Sequence, residues 1–192
     1  PRDAMSTQAW GFRDTSFALD ETGAITVTGN RYPGLSGERL PDLLPWFRSV
    51  IGIDFALENA THVHPLPPVP EPHAAPEFLA QIGDILASDQ VSTDAAIRLR
   101  HGHGHTVSEI SAVRSSGFVR VPDYVLFPKS EDEIVAIVRA AINTGVVLMP
   151  YGGGTNVTEA LRCLPYEERP IVSVDMSGLD RIEWIDPVNR MA

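Results

Sequence analysis

With one cysteine in 192 residues, Cys163, the chain has no internal disulfide to form, which suits a reducing compartment. No apolar run reaches the about 18 residues that a membrane-spanning helix requires. Basic residues are scarce too: 15 Lys plus Arg stand against 25 Asp plus Glu, a formal charge of −10. Such a surface offers no positive face to a nucleic-acid backbone or an anionic membrane. These shortages point to a soluble, intracellular protein with no transmembrane segment and no nucleic-acid partner. The chain opens on Pro1, with neither the apolar core of a signal peptide nor an Arg/Ser-rich start, so its targeting is not legible. What is abundant is apolar residues, 43% of the chain, enough for one core and a smaller appendage.

The stretch VVLMPYGGGTNV, Val146 to Val157, carries the strongest local signal. Val146 to Met149 read as a buried strand, which Pro150, lacking an N–H, is expected to end. Three residues without Cβ then let the backbone adopt φ > 0 and bring its N–H groups close to a ligand, as phosphate cradles do. A nucleotide-hydrolysing loop would need Lys and Ser or Thr after its last glycine, but Thr155, Asn156 and Val157 follow Gly154. The dinucleotide spacing GxGxxG is absent as well. A plain strand-ending turn remains the bland alternative.

Upstream of the glycines, Tyr124 to Phe127 read as a strand. Ser130 and Glu133 then form a capping box before a helix whose apolar face is Ile134, Ile137, Val138 and Ala141, and Gly145 ends it. Strand, helix and strand make a right-handed parallel unit, with the glycine loop at the carboxyl end of its second strand, where such sheets bind ligands. Ile171 to Val174 and Arg181 to Ile185 read as two more strands, with another beginning near Arg190. The organisation expected is an N-terminal lobe over 1–61, a connector over 62–76 with six prolines, a helix and irregular linker region over 77–121, and a nucleotide-binding region over 122–192. In the lobe, a strand is expected at Ala24 to Val27 and a helix near Leu43 to Val50, with Trp10 among its aromatic anchors. In the linker, Glu77 to Ala87 read as a helix and RLRHGHGH, Arg98 to His105, as irregular chain.

The run PDYVLFPKSEDEIVAIVRAAINTGVVLMPYGGGTNV resembles the FAD-binding domain of vanillyl-alcohol-oxidase-type (PCMH-type) flavoproteins. WGFRDTSF, TGNRYPGLSGERLP, HGHTVSEI, YGGGTNVTEALRC and IVSVDMSGLDRIEWID resemble, within that class, the alkyldihydroxyacetonephosphate synthase family. The resemblance implies an α+β fold, an N-terminal lobe followed by the first half of the FAD-binding domain. It places the FAD diphosphate on Pro150, Tyr151, Gly152, Gly153, Gly154, Thr155 and Asn156. It implies exchange of the acyl group of acyl-dihydroxyacetone phosphate for a fatty alcohol in ether-lipid synthesis, in a peroxisome or related organelle, and leaves a homodimer of the complete protein open. The family's catalytic Tyr, Arg and histidine-rich loop are expected beyond Ala192, so no catalytic residue is assigned within the chain. Some relatives carry a flavin-linking His directly after the glycines; Thr155 stands there in this sequence, and non-covalent FAD is expected. An Asp at Gly153 is expected to abolish binding, by strain in a left-handed conformation and by charge repulsion. Two other readings stand beside this one: an FAD-dependent D-2-hydroxy-acid dehydrogenase of the same fold, and a non-catalytic nucleotide-binding module.

Three further features have plain explanations. His101, His103 and His105 alternate with glycine and in an extended chain would face one side, as Zn²⁺ ligands can, yet no carboxylate or Cys follows at ligand spacing; a hydrogen-bonded loop, and no metal, is expected. Asn156-Val157-Thr158 spells a glycosylation sequon inside the expected diphosphate site, a chance match. Cys163 has no neighbouring His to activate it and is expected to be inert.

Overall fold

The computed structural model describes residues 12–30, 33–52 and 65–191. Trp10 and positions 62–64 of the expected connector lie outside them. The chain forms two compact units, Pro1–Pro65 and Leu66–Ala192.

In the first unit, β1 (Ser16–Leu19), β2 (Ile25–Thr28) and β3 (Arg39–Leu40) form an antiparallel sheet in that order, followed by helix α1 (Leu43–Ile51). The β1–β2 turn is written locally: Asp20 Oδ1 accepts from the N–H groups of Thr22 at 2.9 Å and Ala24 at 3.0 Å, and Gly23 supplies φ 84°. Gly52, at φ 72°, ends α1 by donating to Arg48 O.

The second unit is built on a four-stranded sheet, in the order β4 (Val91–Ser92), β5 (Tyr124–Leu126), β7 (Ile171–Asp175), β6 (Val147–Tyr151). Strands β5, β7 and β6 are mutually parallel, and β4 runs antiparallel on β5. Helices α2 (Pro76–Ile82) and α5 (Glu131–Thr144) bring Phe78, Ile82, Ile137 and Ala141 into one core with Leu126, Val172 and Val174. Helix α3 (Ala95–His101) packs against β5, and Leu99 forms a second cluster with Val113 of α4 (Val107–Arg114) and Val121.

A buried polar hub fixes the proline-rich stretch to this sheet. Asp123, fully buried, accepts from the N–H groups of His73 and Ile171, each at 2.7 Å, and from both terminal nitrogens of Arg120 at 2.7 and 2.8 Å. Burial pushes its carboxyl up, but the Arg120 and backbone donors outweigh that and hold it below the usual range. Arg98 adds a second tie, donating to Pro122 O at 2.8 Å and Pro70 O at 2.7 Å.

Several expectations need correction. Residues 98–101, read as irregular, complete α3, because Asp94 caps it by accepting from Ile97 N–H at 3.0 Å. The helix expected to reach Ala87 ends at Ile82. Pro150 does not end β6 but pairs within it, tolerated because β6 is an edge strand whose outer side has no ladder to satisfy. On α5 the core face includes Ala140, while Val138 lies on the flank, 40% exposed. The capping box there is half made: Ser130 accepts from Glu133 N–H, but Glu133 Oε2 takes the N–H of Lys129 and the side chain of Gln90. Arg181 to Ile185 form no strand, and Asp186 and Met191 close a turn with an isolated bridge instead of opening a new strand.

Candidate functional site

Strand β6 delivers Gly152 to Asn156 to the carboxyl end of the parallel strands, after the α5 crossover. Gly152 and Gly153 are exposed, and a Cβ on Gly152 would meet nothing within 4 Å. Gly154 is buried at φ 68°, and a Cβ there would run into the Tyr151 phenol. Of the three glycines only Gly154 is left-handed, so the strain expected for Asp at Gly153 belongs one residue later; a Cβ on Gly153 meets Thr155 at an ordinary 3.7 Å. Among the described residues, none accepts from the backbone N–H groups of Gly153, Gly154 or Thr155. A run of unpaired donors at the end of a parallel strand suits an anion.

The base of the loop is tightly held. Tyr151 is 4% exposed, and its ring lies on that of His101 with centroids 4.0 Å apart. His101 Nε2 bonds Asp175 Oδ2 at 2.9 Å and its Nδ1 meets Ile97 O at 2.8 Å, while Arg100 Nε approaches the Tyr151 hydroxyl at 3.4 Å. Burial raises the Asp175 carboxyl, but bonds from His101 and Ser177 outweigh it, leaving it ionised below the ordinary range. At the other end, Asn156 O accepts from His105 N–H at 2.7 Å and its Oδ1 from Ala160 N–H at 3.1 Å. A Cβ on Gly104 would collide with the backbone and amide of Asn156. Gly104 N–H itself donates to Glu109 Oε1 at 2.8 Å, and Glu109 completes a capping box with Thr106 at the start of α4.

The histidines therefore do not share one side of an extended chain. His101 belongs to α3, and His105 meets the loop through its backbone. The imidazole of His103 stacks on Phe118 with centroids 5.7 Å apart. Burial pushes the His103 pKa down; Nδ1 contacts Gly104 O at 2.7 Å, and Nε2 is buried with no partner among the described residues. Cys163 is buried and its thiol is pushed up to about 12, chiefly by desolvation, so it is no nucleophile at neutral pH.

All seven expected cofactor residues fall in this one loop and its base, in different roles: Pro150 in the edge strand, Tyr151 beneath the turn, Gly152, Gly153 and Thr155 exposed, Gly154 bent, and Asn156 tied down. His101, Gly104 and Asp175 were missed as parts of the site. The signal for His101 was the Asp94 cap ahead of six helix-compatible residues; that for Asp175 was an acid closing the apolar run IVSV.

Residues 122–192 match the family profile described as the FAD binding domain, which makes this an FAD-binding protein. The chain is 39% identical over 188 residues to the alkyldihydroxyacetonephosphate synthase of Caenorhabditis elegans, a match covering 96% of this chain and 30% of that protein. A solved alkyldihydroxyacetonephosphate synthase structure superposes with a TM-score of 0.82 at 26% identity, covering 96% of this chain and 35% of the other. The mitochondrial D-lactate dehydrogenase [cytochrome] of Arabidopsis thaliana is 31% identical over 107 residues, 56% of this chain and 17% of that protein. Over nearly its whole length the chain is similar to alkyldihydroxyacetonephosphate synthases, and it spans about a third of the length of such relatives. The loop fits FAD: it offers N–H donors that no described residue accepts from and open space beside Gly152, with no lysine in it to meet a cleavable phosphate.

Proposed function

We propose that this chain is the diphosphate-holding portion of an alkyldihydroxyacetonephosphate synthase, which exchanges the acyl group of acyl-dihydroxyacetone phosphate for a fatty alcohol in ether-lipid synthesis, in a peroxisome or related organelle. The observation that carries the reading is the set of N–H groups of Gly153, Gly154 and Thr155 at the carboxyl end of β6, unpartnered among the described residues. FAD, when bound, supplies the flavin ring as the reacting centre. The chain's own residues hold its other end. Gly153, Gly154 and Thr155 donate to the diphosphate oxygens, the Thr155 hydroxyl adds a donor, and bare Gly152 allows close approach. Pro150, Tyr151 and Asn156 keep the loop in shape. Attachment is non-covalent, since Thr155 offers no imidazole to the ring.

The complete polypeptide, purified with its flavin, should release a fatty acid and form an alkyl ether when given acyl-dihydroxyacetone phosphate and a long-chain alcohol. Oxidation of a D-2-hydroxy acid without that exchange would favour the second reading, a dehydrogenase, which the Arabidopsis relative keeps in view. Flavin-free protein showing neither reaction would leave only a non-catalytic module.

A further inference from the structure

We propose that the turn from His101 to His105 is a positioning element for the glycine loop, fixing both its ends before a dinucleotide arrives. This rests on the reading that the loop takes a diphosphate. Among the described residues, none accepts from the N–H groups of Gly153, Gly154 or Thr155, so no hydrogen bond from these three holds the loop's shape there. Its two ends are instead held by one short segment. His101, locked to Asp175, supports the Tyr151 ring, which in turn fills the space beneath Gly154. Three residues on, Gly104 seats Asn156 in a gap that admits no Cβ, and His105 N–H bonds Asn156 O. The span between these anchors, Gly152 to Thr155, must otherwise be ordered by the ligand at the expense of affinity. His101, Gly104 and Asp175 touch no part of the ligand in this account; they act through Tyr151 and Asn156.

The test uses the complete protein, freed of flavin and titrated with FAD, with amide exchange followed in the flavin-free state. His101→Ala and Gly104→Ala should each raise the FAD dissociation constant by about tenfold or more through lost preorganisation. Both should also reduce protection of the His105 and Ala160 amides, the two N–H groups that Asn156 accepts, while β5 and β7 stay protected. His101→Arg should restore affinity, because a planar guanidinium can bond Asp175 and lie on the Tyr151 ring. Dissociation constants within twofold of the parent for both Ala variants would overturn the inference, as would protection lost equally across β5 and β7, which marks general destabilisation. Gly154→Ala serves as the control. If it binds FAD normally, the diphosphate reading itself fails and the inference with it; if it fails to bind while His101→Ala and Gly104→Ala bind normally, only the positioning role is lost.

Discussion

Every residue of β1 is exposed, whereas every residue of β7 is buried, though the strands differ in length by one residue. The first sheet is specified by its turn: Asp20 gathers the N–H groups of Thr22 and Ala24, and strands 5 residues apart in sequence follow. The second joins Tyr124 to Val172 and Val147 to Ile171, pairings no local turn can dictate. Apolar burial on α2 and α5 and the Asp123 hub hold them. A sheet written by its turn tolerates change on its faces; one written by burial does not, and in the second that burial backs the strand from which the glycine loop leaves.

Two phenylalanines put that contrast to its hardest test. Phe78 is fully buried and Phe17 is 66% exposed. Phe78→Ala should cost about 3–5 kcal/mol, the usual range for emptying a core aromatic site, read from urea unfolding by circular dichroism.

The next effect is at the loop. Gly154→Ala should cost about 1–3 kcal/mol for a left-handed non-glycine residue, with further loss from contact with the Tyr151 phenol, whereas Gly153→Ala should leave stability unchanged. Equal melting temperatures for the two variants would remove the distinction between them. Gly153→Asp should fold and still lose FAD, by charge alone.

A smaller effect follows from His103. Its folded pKa lies below the ordinary 6.5 because the buried imidazole resists charge. Between those two values the unfolded chain binds a proton that the native state refuses, so stability is full above about 6.5 and falls as pH drops towards the folded value. His105 is shifted the same way, first by burial and then by Arg100. Urea midpoints should decline from pH 7.5 to 5.5, and His103→Asn should flatten part of that slope; an unchanged slope would place the titration elsewhere.

Least of all, Phe17→Ser should change stability by no more than about 0.5 kcal/mol, as surface substitutions do.

The same contrast explains what could be read from the sequence. Helix α5 was legible because its cap, its apolar period and Gly145 all agree, and Gly145 indeed takes φ 72°. The turn after β6 was legible because contiguous glycines after an apolar run end a strand, as they do at Tyr151. Its bracing was not: the contact of Gly104 with Asn156 spans 52 positions and that of His101 with Asp175 spans 74, and His-Gly alternation resembles loop. Arg181 to Ile185 alternate like a strand, yet Ile182, Trp184 and Ile185 are 74%, 54% and 67% exposed, and alternation with no pairing partner among the described residues makes no strand. Pro150 misled because a rule for central strands was applied to an edge.

The most direct test of the central claim, that the glycine loop receives a diphosphate, is a titration of the isotope-labelled complete protein with ADP, which carries the diphosphate without the flavin. The backbone amide resonances of Gly153, Gly154 and Thr155 should move most, together and saturably, and FAD should displace ADP from them. Amides that stay still while FAD binds elsewhere would contradict the account.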